Sequence, residues 1–129
     1  MQIDVLPDDD AVAKTAAAAI AGAPPQIDLV HLGLGPDGHT ASLVPGDAVL
    51  GVTDVDVAIT GGTYQGRRRM TLTYPVLDRA RQILWVVTGA EKVDALRRLR
   101  AADASIPGGR VNQAHATVLA DRAAAGQGG

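Results

Sequence analysis

The segment Leu29-Val-His-Leu-Gly-Leu-Gly-Pro-Asp-Gly-His-Thr-Ala-Ser42 decides how this chain is read. From Leu29 to Leu34 it is apolar with a single His31 inside. Bounded by Gly and Pro, that run has the pattern of a buried parallel strand more than of an alternating surface strand. A Gly-rich loop follows at the strand's carboxyl end, which is where α/β folds bind their ligands. Gly33, Gly35 and Gly38 let the backbone turn sharply and come close to a ligand, and Asp37, His39, Thr40 and Ser42 crowd polar side chains into the same turn.

The flanking sequence alternates strand and helix signals. Upstream, Gln2 to Leu6 reads as a short strand, and Asp8, Asp9 and Asp10 lead into an Ala-rich helix that reaches about Ala21 and is stopped by Gly22, Pro24 and Pro25. Downstream, Asp54 to Thr60 and Ile83 to Thr88 are strand candidates. Met70 to Tyr74 is a strand or a connecting segment, and Pro75 to Arg81 a short helix. Gly89 to Arg100 places Val93, Leu96 and Leu99 at helical spacing beside Arg97, Arg98 and Arg100, an amphipathic helix after a strand. Ile106-Pro107 and a strand at about Ala116 to Leu119 complete a unit over residues 1–122, and residues 123–129 read as a loose Ala/Gly tail. This order predicts a mostly parallel α/β sheet covered on both faces.

Composition removes several function classes. Apolar residues make up 47% of the 129 residues, but aromatics only 2% with no Phe, so the core must be built from small aliphatic side chains. A net charge of −2 with both signs intermixed supplies no positive field for nucleic acid or an anionic membrane. The absence of Cys excludes disulfides, thiolate metal sites and a cysteine nucleophile. No signal peptide or apolar run of about 18 residues is visible, so the cytoplasm is the expected compartment. The three His are scattered, with no ligand-type spacing, and neither a metal nor a cofactor is expected. The loop also matches Gly-x-Gly-x-x-Gly, the dinucleotide fingerprint, but Pro45 and Gly46 cut off the long helix such a site needs.

Taken whole, Asp28-Leu-Val-His-Leu-Gly-Leu-Gly-Pro-Asp-Gly-His-Thr-Ala-Ser-Leu-Val-Pro-Gly46 resembles the signature segment of the 6-phosphogluconolactonases, a branch of the sugar-phosphate isomerase and deaminase superfamily. Arg69-Met70-Thr71 resembles that family's Arg-x-Thr, Val87-Thr88-Gly89-Ala90-Glu91-Lys92 its Gly-x-x-Lys segment, and Ser105-Ile106-Pro107 its closing motif. The resemblance covers essentially the entire chain and corresponds to the carboxy-terminal half of a family member. It implies a three-layer α/β/α, Rossmann-like domain, truncated at the amino-terminal side. The Gly-Gly-Ser/Thr phosphate loop and Asp-Glu-Arg segment of the family have no counterpart before Met1. That implies either a fragment or truncated gene product, or a chain that works with a partner chain or by self-association.

The implied substrate is a small phosphorylated sugar lactone, and the implied reaction its hydrolysis. A lactone carbonyl needs an activated water, a donor for the developing oxyanion and a proton for the departing ring oxygen; an imidazole, with a pKa of about 6.5, can take and return that proton. By resemblance His39 is that base. Asp37 either orients His39, binds a sugar hydroxyl, or belongs to a plain Asp-Gly turn. Thr40 and Ser42 either donate to the ligand or cap a following helical turn, and Gly35 and Gly38 allow close approach. Lys92, at the start of a helix, and Arg69 are the candidates for the phosphate, and the sequence leaves open which of Arg67, Arg68 and Arg69 faces it. His31 and His115 read as structural, Arg79 and Arg81 as helix surface. Two rivals stand beside the lactonase: the deaminase or isomerase branch, which carries a carboxylate where this chain has Val44, and a non-catalytic remnant that binds sugar phosphate.

Overall fold

The computed structural model describes residues 9–19 and 26–127. The expected strand Gln2 to Leu6 and the end of the first helix lie outside them. In chain order the elements are α1 (Asp9–Ala18), β1 (Leu29–Leu32), β2 (Val57–Ile59), β3 (Met70–Leu72), α2 (Tyr74–Arg79), β4 (Gln82–Val87), α3 (Val93–Arg100) and β5 (Ala116–Ala120). The result is a mixed α/β fold built on a parallel sheet of order β1-β4-β5.

The sheet's register explains where the core sits. It pairs Val30 with Ile83 and Leu32 with Trp85, so these side chains share one face with Val87. They are buried there with Leu96 and Leu99 of α3 and Leu77 of α2. Trp85, only 1% exposed, is the largest of these side chains. The apolar spacing of α3 therefore does what the sequence predicted, and Asp94 pairs with Arg97 and Arg98 on its outer side. Thr73 precedes α2 with its hydroxyl on the Val55 carbonyl at 2.6 Å, and Pro75 lies in the first turn, where a missing N–H costs nothing.

Three expectations are modified. First, the sheet is covered on one face among the described residues. β1 alternates instead of being buried throughout, and the register puts Leu29, His31, Leu84, Val86 and Leu119 on the other face, with Leu29 52% and Leu119 55% exposed. His31, expected inside the strand, is exposed there. Second, the strand expected from Asp54 is the shorter β2, which leaves the parallel sheet and pairs antiparallel with β3. The physical reason is the connection: Tyr64 and Arg67 bridge across Gln65 and Gly66, both at positive φ (54° and 79°), a type I′ pattern that returns the chain on itself. Third, the expected loose tail folds back through its first residues, since Ala124 is 1% exposed and Ala125 bonds to the Asp121 carbonyl.

Arg79, expected on the helix surface, instead pairs with Asp56 at 2.7 Å and ties α2 to the approach of β2. Asp47 fixes the base of the hairpin: its carboxylate accepts from Gly61 N–H at 2.8 Å and Gly62 N–H at 3.0 Å. No helix among the described residues is long and apolar enough to cross a membrane. Replacing Trp85 by Ala is expected to remove about 3–5 kcal/mol of stability, against about 1 kcal/mol or less for Leu119→Ser on the open face, measured by urea unfolding.

Candidate active site

Two strand ends lie side by side, and the candidate site is built on the loops that leave them. After β1 the chain turns tightly: Gly38 N–H donates to the Gly35 carbonyl and Gly35 N–H to the His39 carbonyl, both at 2.9 Å. Gly38 has φ of +86°, and a Cβ there would stand 2.4 Å from Ile106 Cβ. A Cβ at Gly35 would meet His39 Nδ1 at 2.1 Å, so the imidazole lies directly over the glycine backbone. Both positions therefore require glycine, as the sequence suggested, for backbone shape and for room beneath the imidazole.

The loop's polar atoms divide into two groups. Thr40 is buried, and its hydroxyl donates to the Gly33 carbonyl at 2.8 Å. That bond braces the loop from inside. Ser42 has its N–H on Thr71 Oγ1 at 3.1 Å and Thr40 forms a bridge with Leu43; the helical turn that follows, Ala48–Gly51, is capped by Asp47 instead of by either of them. Outward, by contrast, Asp37 Oδ1 lies 2.6 Å from His39 Nδ1 and also accepts the His39 N–H at 3.1 Å. The contact with the ring fits Asp37 as a support of His39, and the bond from the His39 N–H is that of an Asp-Gly turn, so the same carboxylate oxygen serves both. Burial alone would raise the Asp37 pKa, but the hydrogen bonds from the His39 side chain and N–H, with the charge of His39, hold this carboxyl below its ordinary range.

Neighbouring elements close around this pair. The Lys92 ammonium, in a 3-10 turn just ahead of α3, donates to the Leu34 carbonyl and brings a cation to the loop. Gly108 N–H donates to the Gly38 carbonyl at 2.9 Å, and the buried Tyr74 hydroxyl holds the Pro107 carbonyl at 2.8 Å, so the Ser105-Ile106-Pro107 segment props the loop from below. From the hairpin, Tyr64 comes within 5.4 Å of the His39 ring, centroid to centroid. Arg69 lies over Tyr64 and donates to Gln65 at 3.1 Å. Arg68 donates to the Thr60 carbonyl, so of the three arginines it is Arg69 that keeps company with the His39 side of the hairpin. His115 is exposed and, apart from its carbonyl on Ile83 N–H, takes no part.

The structure places Asp37, His39 and Lys92, all singled out in the sequence, on or against one loop, and adds Tyr64, which the sequence reading did not single out. The signal was present: among so few aromatics, a Tyr between Gly62 and Gly66 has no apolar neighbours in sequence to suggest a core position.

A profile of the glucosamine-6-phosphate isomerases/6-phosphogluconolactonases matches residues 2–120. The chain belongs to this family. It is 46% identical over 84 residues to a 6-phosphogluconolactonase of Synechocystis, a match covering 65% of this chain and 34% of that one. With the 6-phosphogluconolactonase of Mycobacterium tuberculosis it shares 40% identity over 115 residues, 85% of this chain and 47% of the relative. The crystal structure of 6-phosphogluconolactonase from Thermotoga maritima superposes with a TM-score of 0.73 at 32% identity, over 89% of this chain and 51% of that one. The chain thus spans between a third and a half of the length of these relatives.

The Asp37–His39 pair makes a pH prediction. A carboxyl held below its ordinary range stabilises the fold above that range and loses its contribution as pH falls through the lowered folded value. Carboxyl-carbon NMR titration is expected to place Asp37 below a typical exposed Asp, and His39→Ala to move it upward; an unchanged midpoint in His39→Ala would show that His39 is not the cause.

Proposed function

We propose that this chain carries the base-bearing half of a site that hydrolyses 6-phospho-D-glucono-1,5-lactone to 6-phosphogluconate, in the oxidative branch of sugar-phosphate metabolism and in the cytoplasm. The observation that carries the reading is the Asp37–His39 pair at the carboxyl end of β1, in a chain whose relatives are named 6-phosphogluconolactonases. With Nδ1 donating to the Asp37 carboxylate, the lone pair of a neutral His39 resides on Nε2 and faces a water. Nε2 takes a proton from that water as its oxygen adds to the lactone carbonyl. The tetrahedral oxyanion then collapses, the bond to the ring oxygen breaks, and the imidazolium returns its proton to that oxygen. Asp37 holds the ring and balances the transient positive charge.

Lys92 and Arg69 are the groups proposed for the phosphate. Lys92 spends one donor on the Leu34 carbonyl and keeps others for an anion. Arg69 is exposed, and only part of its guanidinium is engaged by Gln65. Gly35 and Gly38 give the loop its close approach, and Ser42 lies at its rim. The deaminase or isomerase alternative is disfavoured by Val44, whose apolar side chain cannot move protons.

The proposal includes a complementary half of the fold, supplied by the remainder of a longer chain of which this is a fragment, by a partner chain or by self-association. Parallel sheets are ordinarily covered on both faces, and the face bearing Leu29, Val86 and Leu119 leaves apolar area for such a cover. The same open face favours the second reading, a sugar-phosphate-binding remnant without activity of its own.

Lactone hydrolysis by the purified chain, corrected for the spontaneous reaction, separates the two. The proposal expects a preference for the phosphorylated lactone over gluconolactone and a loss of at least about a hundredfold in His39→Ala. Lys92→Ala should raise KM for the phosphorylated substrate alone. A well-folded chain that binds sugar phosphate without hydrolysing the lactone would establish the remnant instead.

A further inference from the structure

The chain has three aromatic side chains, and two of them have evident structural work. Trp85 fills the core, and Tyr74 is buried with its hydroxyl on Pro107. Tyr64 does neither. It sits half-exposed on the arm of the hairpin, its ring 5.4 Å from that of His39 with the planes inclined at 54°. The Arg69 guanidinium carbon lies 5.6 Å from the ring centroid, and the Tyr64 hydroxyl makes no hydrogen bond with the described residues. An aromatic ring left partly in water forgoes burial that a core position would provide, and Tyr favours surfaces where an apolar body and a polar tip meet a ligand together.

Its placement is set by local covalent structure. Tyr64 immediately precedes the tight Gln65-Gly66 turn and bridges to Arg67, and the hairpin's base is clamped by Asp47 on Gly61 and Gly62. The ring is thus presented beside the imidazole by backbone geometry and is not drawn there by a core.

From this we infer that Tyr64 is a substrate-contacting, specificity-determining residue. Its ring forms a wall against which the C–H-bearing face of the sugar ring lies next to His39. The inference rests on the proposed lactone site and adds the group that recognises the sugar ring, as distinct from the cations that recognise the phosphate. Because the contact is with the ring, it serves phosphorylated and unphosphorylated sugars alike.

The test uses two pyranoses that lack the reactive carbonyl, 1,5-anhydroglucitol and its 6-phosphate, titrated into the isotope-labelled chain while the ring resonances of Tyr64 and His39 are followed by NMR. Both rings are expected to shift in the wild type. Tyr64→Ala should weaken both ligands by the same factor, about fivefold or more, while Tyr64→Phe stays within about twofold. Arg69→Ala should weaken the phosphate ester alone. If His39 shifts and Tyr64→Ala binds as the wild type does, the inference is overturned and the site stands. If Tyr64→Ala reproduces Arg69→Ala, the ring only supports the guanidinium, and the inference is again overturned. If neither ring responds to either ligand in a folded chain, the reading of the site falls and the inference with it.

Discussion

Between Gly33 and Thr40 the backbone leaves β1 and doubles back, so its carbonyls belong to no ladder although Leu34, Gly35, Gly38 and Thr40 are buried. Buried peptide groups must find partners, and the structure supplies them from four directions. Gly33 is met by the Thr40 hydroxyl, Leu34 by the Lys92 ammonium, Gly35 by the Gly38 N–H and Gly38 by the Gly108 N–H. Each net contribution is only about 1 kcal/mol, but leaving such a group unmet costs about 1–3 kcal/mol, so removing one support is felt more than adding one. Two of these supports come from the loop itself and two, Lys92 and Gly108, from segments far away in sequence.

That arrangement explains why the site forms where it does. The carboxyl ends of β1 and β4 are neighbours in a parallel sheet, and the loops leaving them cross at Lys92 and Leu34. The interior supports of the loop leave Asp37 and His39 as the side chains that look outward, at 45% and 23% exposure. The hairpin then delivers Tyr64 and Arg69 from a separate two-stranded sheet. A braced loop carrying Asp37 and His39 and a clamped arm are what a catalytic site would need to hold reacting groups in fixed geometry.

Much of this was legible in the sequence. Local signals placed the Gly-rich turn after a strand, the amphipathic spacing of α3 and the strand at Ile83, because strand and helix periods and glycine turns are properties of short segments. What could not be read was set by tertiary context. The apolar run from Leu29 reads as buried on both sides, yet only pairing with β4 decides which residues face the core and which lie open. Thr40 carries no mark in sequence that its hydroxyl is spent on Gly33. The departure of β2 from the parallel sheet follows from a turn at Gln65 and Gly66 whose positive φ values a glutamine does not announce, and Tyr64 reaches His39 only once that turn is made.

The most direct test of the account is the tautomer of His39, read from the two ring-nitrogen resonances of the neutral imidazole by long-range proton–nitrogen NMR. If Asp37 orients the ring for base catalysis, the proton resides on Nδ1 and Nε2 is the unprotonated nitrogen, and Asp37→Asn disturbs that preference. A neutral ring protonated on Nε2 in the wild type would leave no lone pair facing a water, and would contradict His39 as the base.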